Sequence, residues 1–270
     1  HLDICTLQHS TRRITYDRIN EPKMAFDYFL RGHRGAVVSV SASADGATLL
    51  TGGADGTARL WDARDGRPLA VLRGHRDAVF AVAPSPDGRR VVTASADGQA
   101  LLFDAQSGAA LRVLAGHQGA VRAARFSPDG TFVVTAGEDG TARRFDARSG
   151  ACLVVLRGHE RAIKAVAISP DGKVIATAGE DRDLRLWDAQ SGALLATRMG
   201  HHAGVRALAF SPDGARLASA SHDGTARLWS LAGGEPQVLL GHQAPLLALA
   251  FRGDGQQLVT SGLDQDLRVF

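Results

Sequence analysis

The dipeptide Gly-His recurs along most of the chain at a nearly constant interval, and no other feature of the sequence restricts the fold as strongly. Successive copies are 42 residues apart, except for one interval of 41. Self-similarity at a period of about 20–50 residues is typical of repeat architectures, in which each unit buries its apolar face against its neighbours. The copies are Gly32-His33, Gly74-His75, Gly116-His117, Gly158-His159, Gly200-His201 and Gly241-His242.

Three further positions keep the same phase as Gly-His in every unit. An aromatic residue stands 28 residues after each His, an Asp stands six residues before the aromatic, and a hydroxyl residue stands four before the Asp. Six copies of a four-position pattern exclude chance. The aromatic residues are Trp61, Phe103, Phe145, Trp187, Trp229 and Phe270; the Asp residues are Asp55, Asp97, Asp139, Asp181, Asp223 and Asp264; the hydroxyl residues are Thr51, Thr93, Thr135, Thr177, Ser219 and Thr260.

Each unit predicts four short β-strands. In the third unit, the apolar run 132–135 lies between the turns Pro128-Asp129-Gly130 and Glu138-Asp139-Gly140. Asp-Gly turns between such runs are strong hairpin signals. Short strands without intervening helices predict an all-β protein, and the 42-residue period favours a propeller with four strands per blade. The expected repeats are 32–73, 74–115, 116–157, 158–199, 200–240 and 241–270.

The Gly-His dipeptides, the Ser-Pro-Asp-Gly turns at 127–130, 169–172 and 211–214, and the Trp-Asp pairs resemble the WD40 repeat family. The resemblance covers residues 32–270 and implies a WD40 β-propeller. It also implies that the hydroxyl, His, Asp and Trp of a repeat form a buried hydrogen-bond relay. Phe cannot donate a hydrogen bond, so relays in Phe-containing repeats should stop at the hydroxyl. The complete relays are expected at His33, Thr51, Asp55 and Trp61; at His159, Thr177, Asp181 and Trp187; and at His201, Ser219, Asp223 and Trp229.

Residues 1–31 lack Gly-His but align with part of a repeat. When Tyr16 is aligned with Trp61, Thr6 takes the hydroxyl position and Ser10 takes the Asp position. We therefore expect a divergent partial blade, which favours seven blades. In the alternative, only the strand at 26–30 forms and completes the last blade, giving six blades. The chain opens without an initiator Met, which suits a segment of a larger protein.

Several classes of function are excluded or weakened by the residues present. A hydrolase needs one set of catalytic groups in a cleft, whereas this His, Asp and hydroxyl set occurs six times. We predict no catalytic residue, no cofactor and no metal site, because the sequence has no Cys-x-x-Cys, no phosphate loop and no ligand spacing. Cys5 and Cys152 are too few for a disulfide framework, which favours a cytoplasmic protein, and Cys152 is expected in the core. No apolar run is long enough for membrane insertion.

Function is therefore expected on the surface. The resemblance implies binding at the top rim of the channel, to which two positions of each repeat point: the fifth residue after His and the residue before the relay Asp. Three consecutive repeats place Arg122, Lys164 and Arg206 there, with Glu138 and Glu180 between them. In one interpretation these charges pair locally and keep the rim soluble; in the other they form the charged half of a peptide site. The remaining predicted rim residues are Phe80, His222 and Leu247.

The leading hypothesis is a non-catalytic scaffold or sensor that binds a protein or peptide partner, including other domains of the same protein. Its uniform repeats, rich in Ala and Arg, look bacterial, and similar arrays serve as regulatory parts of larger signalling or effector proteins. Nucleic-acid binding is an alternative suggested by the pI of 9.2, but a net charge of +3 is a weak basic footprint. A hydrolase-type propeller is a further alternative, for which only Glu138 and Glu180 supply acids.

Overall fold

The computed structural model describes residues 29–270. Within this range the chain forms six antiparallel sheets, which we call blades 1–6, and each blade takes its strands in chain order. Blade 1 consists of β1 (Val37–Ala42), β2 (Thr48–Gly53), β3 (Ala58–Asp62) and β4 (Pro68–Leu72). Blade 2 consists of β5 (Val79–Pro84), β6 (Arg90–Ser95), β7 (Ala100–Asp104) and β8 (Ala110–Leu114). Blade 3 consists of β9 (Val121–Phe126), β10 (Phe132–Gly137), β11 (Ala142–Asp146) and β12 (Cys152–Leu156).

The second half of the molecule repeats this plan with shorter strands toward its end. Blade 4 consists of β13 (Ile163–Ile168), β14 (Val174–Gly179), β15 (Leu184–Asp188) and β16 (Leu194–Arg198). Blade 5 consists of β17 (Val205–Phe210), β18 (Arg216–Ser221), β19 (Ala226–Ser230) and β20 (Gln237–Leu239). Blade 6 has three strands among the described residues, β21 (Leu246–Phe251), β22 (Leu258–Gly262) and β23 (Leu267–Val269).

The hairpin after each first strand is closed by its own polar side chains. In blade 3, Ser127 Oγ donates to Asp129 Oδ1 at 2.6 Å and accepts the Phe132 N–H at 3.0 Å. Gly130 has a φ of 70°, a left-handed conformation that a residue with a Cβ adopts only at a cost. These turns define the lower end of the molecule, whereas the Gly-His segments and the second turn of each blade define the upper end.

The apolar core lies between neighbouring blades. Side chains alternate between the two faces of a strand, so every blade presents one apolar face to each neighbour. Val134 and Ala136 of blade 3, for example, pack against Ile175 and Trp187 of blade 4. The rings of Trp61, Phe103 and Phe145 are fully buried in such interfaces.

The first strand of each blade faces a central cavity of about 460 Å³. Consecutive inner strands pack on each other from β1 to β21, whereas β21 and β1 make no comparable contact within residues 29–270. Among the described residues, blades 6 and 1 therefore lack the inner-strand packing that joins the other neighbouring blades.

The prediction that favours seven blades is wrong. Residues 29–270 form six sheets, one for each repeat that carries Gly-His and its relay Asp. The physical reason is that these polar residues hold the turns of a blade together, and residues 1–31 lack Gly-His and have Ser10 at the Asp position. The partial blade and the closure strand predicted from this segment lie outside the described residues, apart from the last few.

Candidate functional site

The structure brings the repeating polar residues of blade 1 into one hydrogen-bonded chain. The Trp61 indole N–H donates to Thr51 Oγ1 at 2.9 Å, and Thr51 Oγ1 lies 2.8 Å from His33 Nε2. His33 Nδ1 donates to Asp55 Oδ1 at 3.0 Å. The Arg34 N–H fixes the same carboxylate at 2.8 Å, which ties the segment after Gly-His to the second turn.

The same chain of contacts recurs in the other Trp-containing blades. It joins His159, Thr177, Asp181 and Trp187 in blade 4, and His201, Ser219, Asp223 and Trp229 in blade 5. Where Phe replaces Trp, as in blade 2, His75 still contacts Asp97 at 3.0 Å and Thr93 at 2.7 Å, but no indole N–H reaches the hydroxyl.

The burial and electrostatics of these relays fit a structural role. Burial lowers the pKa of His201, whose side chain is 0% exposed, and its contact with Asp223 opposes this only in part. Burial works to raise the pKa of Asp223, but hydrogen bonds from Thr225, the His202 N–H and His201 outweigh it and lower the pKa to about 2. A neutral imidazole beside a carboxylate, both closed off from solvent, gives a substrate no access to the hydroxyl.

One member of the blade 4 relay was not predicted from the sequence. Arg185 Nη1 lies 2.6 Å from both His159 Nδ1 and Asp181 Oδ2. The sequence does contain a signal for this residue, because Arg185 stands four residues after the relay Asp. At the start of β15 it lies at the upper end of the blade, beside that Asp.

At the top rim, five predicted residues form one row of alternating charge. Arg122 donates through Nε to Glu138 Oε1 at 2.9 Å and makes a second, shorter contact through Nη2. Lys164 Nζ stands between the two acids, 3.8 Å from Glu138 Oε1 and 3.6 Å from Glu180 Oε1. Arg206 Nη1 lies 3.9 Å from Glu180 Oε1 and ends the row. We call these five side chains the rim row.

The burial of the rim row is uneven. Hydrogen bonding to Arg122 lowers the pKa of Glu138. Burial, followed by the charge of Arg122, lowers the pKa of Lys164, although Glu180 and Glu138 oppose the shift. The Lys164 side chain is only 12% exposed, whereas that of Arg206 is 36% exposed. Solvent therefore reaches the Arg206 end more easily than the middle of the row.

The apolar residues predicted for the rim are placed differently from one another. Phe80 lies under the Arg122 guanidinium, whose Cζ is 4.1 Å from the ring centroid, and both side chains line the central cavity. His222 is half-buried beyond Arg206, and its pKa is lowered by burial first and then by that Arg. Leu247 is half-buried on β21 and does not line the cavity. The local pairing of charges considered from the sequence is thus present, with Phe80 at one end.

Other candidate sites carry no comparable arrangement. No group of three or more His, Cys, Asp or Glu side chains within residues 29–270 is placed to hold a metal ion. The same residues include no helix long and apolar enough to cross a membrane. The prediction that Cys152 lies in the core is wrong, because it begins β12, the outermost strand of blade 3, where its free thiol is exposed.

Comparison with known proteins gives a family match along most of the chain. The family described as "WD domain, G-beta repeat" matches residues 25–62, 66–104, 108–146, 150–188, 192–230 and 233–270. WD repeat-containing protein 86 of Homo sapiens is 55% identical over 40 residues, which are 15% of this chain and 11% of that protein. Six matched repeats agree with the six sheets and again contradict a seventh blade.

Proposed function

The chain belongs to the WD40 repeat family, and from this premise we propose that it is a non-catalytic module that binds a protein or peptide partner across its top rim. WD40 propellers are generally non-catalytic scaffolds with protein partners. The observation that supports a rim site here is the rim row with Phe80 at its end. It places alternating charged side chains next to an aromatic ring that lines a cavity. Recognition in proteins concentrates on such surfaces of rigid scaffolds.

The distribution of charge along the rim row indicates the chemistry of the partner. Arg122 makes two contacts with Glu138, whereas Arg206 has only one distant carboxylate. The uncompensated positive charge therefore lies near Arg206, where it complements an acidic side chain. Complementary charge of this kind favours one orientation and speeds association.

The other end of the site is apolar. The Phe80 ring and the cavity beside it are suited to an apolar or aromatic side chain, the kind of residue that carries most binding energy in interfaces. We propose that the partner presents such a side chain to the cavity beside Phe80, whose ring already lies under the Arg122 guanidinium, and an acidic residue toward Arg206. In this arrangement the module acts as a scaffold or sensor within a larger signalling protein.

The test compares partner capture by three versions of the 270-residue chain. The rim variant carries Arg122→Glu, Lys164→Glu and Arg206→Glu. Its matched control carries the same change of charge at Arg64, Arg89 and Arg148, which are exposed at the lower end. Proteins captured from the source cells by both wild type and control, but not by the rim variant, support the proposal. Capture of the same set by all three proteins would refute a rim site.

A further inference from the structure

A position at the lower end of each blade points into the groove between that blade and the next. It is the residue that begins or immediately precedes the second strand, and its side chain lies on the face turned toward the following blade. Unlike the relay positions, it varies from repeat to repeat. The residues at this position are Thr48, Arg90, Phe132, Val174, Arg216 and Gln257.

Arg90 of blade 2 fills the groove between blades 2 and 3. Its Nη1 donates to the Ala147 carbonyl at 2.7 Å and its Nη2 donates to the Gly130 carbonyl at 3.0 Å. Its Cζ lies 5.6 Å from the ring centroid of Phe126, the last residue of β9. The Arg90 guanidinium is thus held by one cation–π contact with an aromatic ring and by hydrogen bonds to two backbone carbonyls.

A similar arrangement, with one carbonyl acceptor, is built a second time between blades 5 and 6. Arg216 Nη2 donates to the Gly255 carbonyl at 2.7 Å, and Cζ lies 5.8 Å from the ring centroid of Phe251. The repeat therefore holds a guanidinium at this groove wherever Arg at the variable position meets Phe at the end of the next inner strand. In both grooves the ring supplies the cation–π contact and the turn supplies a carbonyl acceptor.

The groove between blades 4 and 5, which we call the 4/5 groove, has the Phe ring and the turn carbonyls, which together we call the receptor, but no arginine at the variable position. Phe210, Gly214 and Leu231 occupy the positions of Phe126, Gly130 and Ala147, but Val174 stands where an Arg would be. All four line a cavity of about 720 Å³. No guanidinium lies over Phe210 within residues 29–270.

The charge of the 4/5 groove complements a cation. Asp171 and Asp213 line its lower end, and hydrogen bonds from Ser169 and Ser211 lower the pKa of each carboxyl, respectively. Arg198 is the positively charged residue among those that line the groove. It is the last residue of β16, and its backbone lies opposite Leu184 of β15 at the upper end of the blade. Two carboxylates and one guanidinium thus leave the lining with a net negative charge.

The remaining grooves among the described blades lack this combination. Between blades 3 and 4, Phe132 takes the variable position and already carries Arg144, whose Cζ is 4.4 Å from its ring centroid. Between blades 1 and 2, Pro84 replaces the aromatic residue and the cavity is only about 240 Å³. The vacant receptor is thus specific to the 4/5 groove.

We propose that the 4/5 groove binds an arginine side chain of a partner protein, stacked on Phe210 and donating to the carbonyls of Gly214 and Leu231. Arginine is favoured over lysine because its planar fork stacks on a ring and donates in two directions at once. The site lies at the lower end of the molecule and does not depend on the rim site, so that either proposal can fail alone.

The binding test uses the peptide acetyl-Gly-Arg-Gly-amide and its lysine counterpart, titrated into the isotope-labelled full chain and followed by NMR. The arginine peptide should shift the resonances of Val174, Leu186, Phe210 and Leu231, and should bind about tenfold more tightly than the lysine peptide. Absent shifts at these residues, or equal binding of the two peptides, would overturn the proposal.

Variants of the same chain separate specific binding from general attraction. Val174→Arg places a guanidinium in the groove from within and should abolish the peptide shifts, whereas Thr48→Arg makes the same change between blades 1 and 2 and should leave them intact. Phe210→Leu keeps the apolar packing but removes the ring, so it should weaken binding even if Val174→Arg fails to fold. Undiminished shifts in folded Val174→Arg and in Phe210→Leu would contradict the proposal.

Discussion

At the scale of single residues, the relay hydroxyls offer a direct comparison between blades. Thr177 accepts the Trp187 indole N–H and contacts His159, whereas Thr135 in blade 3 contacts only His117, because Phe145 has no N–H. Replacement by Val removes the hydroxyl with little change of shape. Thr177→Val leaves two buried groups without partners and Thr135→Val leaves one. We therefore expect Thr177→Val to lower the free energy of unfolding by about 1–2 kcal/mol more.

Urea denaturation of both variants and the wild type measures this difference. Thr135 and Thr177 are both fully buried, so each variant is a control for the burial of the other. Equal losses would mean that the indole hydrogen bond contributes nothing to blade 4.

Single residues also differ in whether the sequence predicts their contacts. Spacing identifies the recurring His, Asp, hydroxyl and Trp positions, because all four lie within one repeat, and the resemblance to the WD40 family implies that they form a relay. Arg90, by contrast, donates to carbonyls of the next repeat, and Arg185 joins a relay whose four expected members are already present. A repeat pattern averages over copies, so it carries no information on a residue that varies between them, such as Arg90. It also does not show that Arg185, at a position that is Arg in five of the six repeats, contacts the relay in blade 4.

At the scale of the strand and the blade, the relays predict how stability depends on pH. The pKa values of His75, His117 and His201 are lowered from 6.5, mainly by burial. The unfolded chain therefore takes up these protons first as the pH falls, and stability should decrease below about pH 6.5. The pKa of Asp223, lowered from 3.8 to about 2, predicts a further loss between those values.

Thermal unfolding measured from pH 7.5 to pH 5 tests the histidine contribution. His201 and His202 are adjacent, but His201 is buried in the relay and His202 is exposed. His201→Gln should flatten the decrease of Tm with falling pH, and His202→Gln should change it much less, because His202 is the smallest of the influences named on the pKa of His201. A Tm that stays constant over this range in the wild type would refute the prediction.

The blade is also the scale at which the sequence predicts most of the structure. Asp-Gly turns and alternating strands indicate the hairpins, because both signals are local. Local signals do not rank the strands by depth, which explains the error at Cys152: β12 has the apolar composition of a core strand but forms the outer edge. They also do not predict that β20 shortens to Gln237–Leu239, where Gly233 and Gly234 adopt positive φ angles after β19.

At the scale of the whole molecule, closure of the propeller depends on how the last blade meets the first. Each repeat that carries Gly-His and the relay Asp forms one sheet among residues 29–270, even where the repeat is incomplete, as in blade 6. The alignment of Tyr16 with Trp61 therefore predicts one blade too many. The alternative, in which residues 26–30 complete the last blade, falls almost wholly outside the described residues and stays a prediction. Blade 6 offers an edge for such a strand, because β23 has no outer partner within residues 29–270.

Two apolar side chains on the face of blade 6 beside that edge make it possible to test whether the N-terminal segment covers this face. Leu267 is 66% exposed and Val269 is 54% exposed, whereas their counterparts Leu184 and Leu186 are 0% and 5% exposed beneath the next blade. If the segment before Phe29 covers this face, Leu267→Asp will place a charge in an apolar interface and lower the free energy of unfolding by more than about 1 kcal/mol. Val113→Asp on β8, where Val113 is 53% exposed, should change it by less than about 0.5 kcal/mol. Deleting residues 1–28 should remove the difference between the two variants. Equal, small effects of both substitutions in the full chain would show that the face of blade 6 stays open to solvent.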